Sequence, residues 1–125
     1  MTKRILIIED QEDNRAIMRD LLTAAGFELI EAANGEEGVK LAQSERPDLI
    51  LMDIQLPVID GYEATRQIRA IVDLKSIPII AVTSYALSGD EAKTREAGCN
   101  GYVAKPFSPR QLLAKVRELL PSEKS

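Results

Sequence analysis

Four short apolar runs constrain this chain more than any other feature: Ile5-Leu6-Ile7-Ile8, Leu49-Ile50-Leu51-Met52, Ile79-Ile80-Ala81-Val82 and the weaker Tyr102-Val103-Ala104. Each is continuous rather than alternating, which is the pattern of strands buried on both faces, as in a parallel sheet. A fifth segment, Glu28-Leu29-Ile30-Glu31-Ala32, alternates in character and reads as an edge strand.

Between the runs lie stretches with helical spacing. Ile17, Met18, Leu21, Leu22 and Ala25 predict the apolar face of a first helix, with Gly26 as its stop. Glu36–Ser44 carries Val39, Leu41 and Ala42, and Glu63–Val72 carries Ala64, Ile68, Ile71 and Val72. Leu87–Ala97 has only Leu87, Ala92 and Ala97, a thin footprint that suits an exposed helix or an element that shifts at low cost. Ser108-Pro109 predicts an N-cap with proline at the first helical position. Leu112, Leu113, Val116, Leu119 and Leu120 follow, and Pro121 closes the helix. Leu119-Leu120 fits the core better than a dimer face. Five strands alternating with five helices predict an α/β fold around a parallel sheet.

The 125 residues amount to one domain, and 45% hydrophobic with 29% charged residues is globular composition. Residues 1–121 are expected to form that domain and residues 122–125 a short C-terminal tail, with no output domain. Histidine is absent, which removes Ser-His and Cys-His catalysis, histidine-ligated metals and a phosphohistidine role. The single cysteine, Cys99, excludes an internal disulfide and a Cys-rich zinc site. A net charge of −4 gives no general pull toward nucleic acid or anionic membrane. The first apolar run is too short for a signal peptide or membrane span, so a cytoplasmic location is expected.

In open α/β sheets ligands bind at the carboxyl ends of the strands. Here those ends carry Glu9-Asp10, Asp53, Thr83-Ser84 and Lys105-Pro106. Any one of these has a plain reading as a cap or solvated loop residue, as Asp48, Asp60 and Asp90 do. Together they are different. Like charges about 4 Å apart repel by about 4 kcal/mol at an effective dielectric near 20, so three clustered carboxylates call for a cation. A hard divalent ion with oxygen ligands fits, with Lys105 opposite to hold a phosphoryl group. Asp53 is then both metal ligand and candidate nucleophile. No G-x-x-x-x-G-K-[ST] and no G-x-G-x-x-G occurs. The acidic Glu9–Asp13 segment would repel the phosphate of a flavin.

These residues resemble the response-regulator receiver family, the CheY-like phosphoacceptor domains of bacterial two-component signalling. The likeness runs from about Lys3 to Leu120 and rests on Ile8-Glu9-Asp10, on Pro47 through Pro57 around Asp53, and on Asp60-Gly61. Ile79–Thr83 and Tyr102–Phe107 complete it. It implies a doubly wound (βα)5, flavodoxin-like fold with strand order 2-1-3-4-5 and helices on both faces. It implies that Asp53 takes a phosphoryl group from a histidine kinase or histidine phosphotransferase, with Mg2+ as cofactor. Glu9, Asp10, Asp53 and the backbone carbonyl of Gln55 are the implied metal ligands, Asp10 the more direct because Glu9 replaces the Asp of many relatives. Lys105 is implied to pair with the phosphoryl group across a cis Lys105–Pro106 bond, Thr83 to be the switch hydroxyl, and Tyr102 the aromatic that turns inward behind it. Gln55 and Tyr85 occupy positions that tune dephosphorylation.

Such a domain catalyses its own phosphorylation and dephosphorylation and turns over no external substrate. Its output face is the fourth helix, fifth strand and fifth helix, which dock a protein partner, without direct nucleic-acid or membrane contact and as a monomer or weak dimer. A single-domain regulator of the chemotaxis or DivK type is the expected form, with a receiver excised from a hybrid kinase as the alternative. An aspartyl-phosphate enzyme is disfavoured because no insertion is long enough to cap a substrate, and a phosphorylation-independent pseudo-receiver because every chemical position is filled.

Overall fold

Residues 6, 8, 50, 52, 79 and 81 point to one face of the sheet, and their neighbours 5, 7, 49, 51, 80 and 82 point to the other. Both sets are buried, which is why the runs are apolar throughout. The computed structural model describes residues 2–84 and 90–120. Its elements are β1 (Arg4–Ile8), α1 (Glu12–Ala24), β2 (Glu28–Ala32), α2 (Gly35–Glu45), β3 (Leu49–Asp53), α3 (Gly61–Arg69), β4 (Ile79–Thr83), α4 (Asp90–Ala97), β5 (Gly101–Ala104) and α5 (Pro109–Leu119). All strand pairs are parallel and the order is β2-β1-β3-β4-β5, as the resemblance implies, with the alternating β2 at an edge.

Two apolar layers sandwich the sheet. Ala42 of α2, then Ala64 and Ile68 of α3, cover Leu6, Ile8, Ile50, Met52, Ile79 and Ala81. Met18 and Leu22 of α1, with Leu112 and Val116 of α5 and the adjoining Leu120, cover Ile5, Ile7, Leu49, Leu51, Ile80 and Val82. Leu119 packs against that second layer, so the Leu119-Leu120 pair belongs to the core. Helix starts are set locally: Asn34 and Asp60 each accept the N–H of the third residue on, and Ser108 forms a reciprocal capping box with Gln111. Gly26 ends α1 at φ +97°, a backbone state that costs glycine nothing.

Three sequence expectations are corrected. Ile17 is 56% exposed, because the buried face of α1 is centred on Met18 and Leu22. Helix α3 stops at Arg69 and a 3-10 turn, Val72–Leu74, follows; Leu74 fills the core there and Val72 is 76% exposed. Ala92 of α4 is exposed, whereas Thr94 is buried with its hydroxyl donating to the Glu91 carbonyl. Leu87, Tyr85, Pro121 and the tail 122–125 lie outside the described residues.

Candidate functional site

Parallel strands bring their carboxyl ends to one edge, and register decides which residues meet there. Ile8 pairs with Met52, so the next residues, Glu9 and Asp53, stand abreast. Asp53 pairs with Val82, and Thr83 pairs with Ala104 just before Lys105. The Lys105 N–H donates to the Thr83 carbonyl at 2.8 Å. Residues from four strand ends thus meet at one edge of the sheet, and the Lys105–Pro106 bond is cis.

Glu9 is fully buried and Asp53 is 2% exposed. The Lys105 ammonium lies 3.2 Å from Glu9 Oε1 and 3.2 Å from Asp53 Oδ1, bridging the two carboxylates. Glu9 Oε2 accepts the Gln11 N–H, and Asp53 Oδ1 accepts the Gln55 N–H, each at 3.0 Å. Burial pushes the Glu9 carboxyl up to about 7; the Gln11 N–H and Lys105 oppose the rise, while neighbouring Asp53 adds to it. One carboxylate oxygen from each of Glu9, Asp10 and Asp53 lies within 4.8 Å of the others. Three oxygen donors of formal negative charge, one of them on the half-buried Asp10, fit a hard divalent cation that keeps several waters.

The frame around these groups is tight. A Cβ on Gly61 would sit 2.4 Å from the Asp53 carbonyl oxygen and 2.6 Å from Ile54 Cα, so only glycine lets α3 start this close to the end of β3. Asp60 caps that helix, accepting the Glu63 N–H at 2.9 Å, which is the plain role expected of it. Asp48 likewise accepts the Arg4 N–H at 2.8 Å. Arg15 of α1 donates to the Glu9 carbonyl at 2.9 Å while pairing with Glu31 and Glu12. It thereby ties the acidic turn to the edge strand. The exposed Ile17 lines, with Asn14, Ser84, Lys105, Pro106 and Phe107, a cavity of about 300 Å3 beside the site.

The switch candidates fall where the register puts them. Thr83 is fully buried at the end of β4. Tyr102, half-buried on the edge strand β5, packs partly against the layer containing Ala81 and Cys99. Two features escaped the sequence reading. The Gln55 side chain donates through Nε2 to Thr83 Oγ1 at 2.8 Å and accepts the Ser84 N–H at 3.1 Å. The Arg15 tether is the second; its signal in the sequence is a guanidinium directly after the polar run Glu9–Asn14, which apolar periodicity does not register.

The response regulator receiver domain family matches residues 5–117. The chain belongs to the response-regulator receiver family. Among relatives, this receiver is 44% identical over 120 residues to the polar-differentiation response regulator DivK of Brucella anthropi, covering 96% of this chain and 98% of that protein. Among solved structures it superposes on the receiver domain of a sensor histidine kinase from Pseudomonas aeruginosa with a TM-score of 0.91 at 39% identity, covering 98% of this chain and 100% of that one. That structure holds a magnesium ion coordinated in its active-site cleft. The chemotaxis response regulator CheY4 of Vibrio cholerae gives a TM-score of 0.91 at 29% identity, over 96% of this chain and 100% of its own.

Proposed function

We propose that this receiver is a single-domain, DivK-like response regulator in which Asp53 accepts a phosphoryl group from a partner's phosphohistidine. The observation that carries the proposal is the Lys105 ammonium seated 3.2 Å from both Asp53 and Glu9, beside a third carboxylate on Asp10. An Asp53 carboxylate oxygen forms the new O–P bond as the P–N bond to the partner's imidazole breaks; the ring, protonated on its other nitrogen, leaves as neutral histidine and Asp53 becomes an acyl phosphate. Lys105 turns from bridging carboxylates to pairing with a phosphoryl oxygen, a charge-assisted bond. Glu9, Asp10, Asp53 and the Gln55 carbonyl would hold Mg2+, which when bound neutralises the carboxylates and the incoming phosphoryl charge. Thr83 donates to the phosphoryl group in the active arrangement, and Tyr102 follows it inward. The signal leaves through α4, β5 and α5 to a protein partner.

The 44% identity to DivK over 120 residues supports the DivK-like reading. Intact-mass analysis after incubation with phosphoramidate, a small P–N donor, tests the reading. We expect one added phosphoryl group that requires Mg2+ and is absent from Asp53→Asn. Unmodified wild-type protein, together with no beryllofluoride binding, would leave a pseudo-receiver.

A further inference from the structure

Gln55 touches both ends of the proposed switch. Its backbone N–H donates to Asp53 Oδ1 at 3.0 Å, and its carboxamide donates to Thr83 Oγ1 at 2.8 Å while accepting the Ser84 N–H at 3.1 Å. The orientation of the carboxamide follows from the partners. A backbone N–H can only donate, so Oε1 faces Ser84 and Nε2 is left to face the Thr83 hydroxyl. The Gln55–Thr83 and Gln55–Ser84 bonds span from the β3–α3 loop to the end of β4, two segments 28 and 29 residues apart in sequence.

We propose that Gln55 is a positioning residue that latches Thr83 in the resting arrangement and must release it for the phosphorylated one. The inference rests on the proposed phosphoacceptor role of Asp53 and gives that site a built-in brake. The physical reason is the two-point grip. Rotation of Thr83 about its χ1 carries Oγ1 away, but the Ser84 N–H belongs to the backbone and does not turn with that side chain. One carboxamide cannot keep both bonds through that rotation, so the Gln55–Thr83 bond contributes to the resting state alone. A net neutral hydrogen bond present in one state shifts the equilibrium by about two- to tenfold. Gln55 thus acts through Thr83, which differs from acting on the attacking water in the dephosphorylation step.

The test uses Gln55→Met, which keeps side-chain length and removes both polar contacts, alone and combined with Thr83→Val. In the metal-free protein, NMR should show the Ser84 amide proton moving upfield and the Thr83 methyl resonance shifting as new rotamers are populated. With Mg2+ and beryllofluoride, Gln55→Met should bind about two- to tenfold tighter than wild type. In the Thr83→Val background it should change affinity no further. An unchanged or lowered affinity, or an equal effect with and without the Thr83 hydroxyl, would overturn the latch. Wild-type protein that binds no beryllofluoride and takes no phosphoryl group would instead sink the phosphoacceptor reading. The metal-free spectra would then decide the latch by themselves, an unmoved Thr83 methyl counting against it.

Discussion

Glu9 stands fully buried between a like charge at Asp53 and an opposite one at Lys105, and burial dominates, lifting its carboxyl from 4.5 to about 7. Since the folded value exceeds the unfolded one, protonated Glu9 favours the folded state. That contribution is complete below pH 4.5 and is lost as pH rises through 7. Thermal melts in chelator should therefore show stability falling from about pH 5 to 8, and Glu9→Gln should flatten that slope. Lys105 opposes the rise, so Lys105→Met should move the transition to higher pH and cost about 1–3 kcal/mol at neutral pH, where two carboxylates lose their shared partner. An unaltered pH profile in both variants would contradict this account of the site's electrostatics. Glu9, Asp53, Thr83 and Lys105 were legible in the sequence because each directly ends or follows a buried run, and parallel register leaves such residues no other place to be. The Gln55 carboxamide was not, since its aim depends on how the β3–α3 loop folds back.

At the scale of elements, the start of α3 and the end of α4 are held by different means. A Cβ at Gly61 would meet the Asp53 carbonyl oxygen at 2.4 Å, so Gly61→Ala should cost about 1–3 kcal/mol and displace the loop that follows Asp53. A stability within 0.5 kcal/mol of wild type, a margin typical of neutral surface changes, would refute that contact's importance. Arg69 works by hydrogen bonds: its guanidinium reaches the carbonyls of Gly98, Leu74 and Lys75 and the Asn100 side chain, at 2.6 to 3.1 Å. Asn100 in turn accepts the Ile79 N–H at 2.8 Å, joining the end of α4 to the start of β4. Arg69→Met should speed hydrogen exchange at the Gly98 and Cys99 amides while leaving those of β1 unchanged. Little of this was readable beforehand. The weak footprint of α4 was visible as sparse apolar residues, but its replacement anchors are a buried threonine, Thr94, and an arginine on a different helix. Periodicity counts apolar side chains and is blind to such polar staples. It also carried the α3 pattern through Ile71 and Val72, where the chain had already turned to bury Leu74.

For the whole molecule, the sheet order and the two apolar layers follow from one property, strands apolar on both sides. That property was explicit in residues 5–8, 49–52 and 79–82, which is why the architecture was recoverable from them. The strand order itself came through the resemblance, because composition alone does not rank parallel strands. Leu51, 1% exposed in the layer under α1 and α5, should cost about 2–5 kcal/mol on substitution by alanine, with the urea m-value unchanged. The layered sheet positions the carboxyl edge rigidly, and the proposed chemistry at that edge stands or falls on one carboxylate. The most direct measurement is reductive trapping: protein treated with phosphoramidate and Mg2+ is reduced with borohydride, which converts an aspartyl phosphate to homoserine, and is then sequenced by tandem mass spectrometry. The account predicts homoserine at position 53 and at no other aspartate. Modification at Asp10 or Asp60 instead, or homoserine that forms equally without Mg2+, would contradict it.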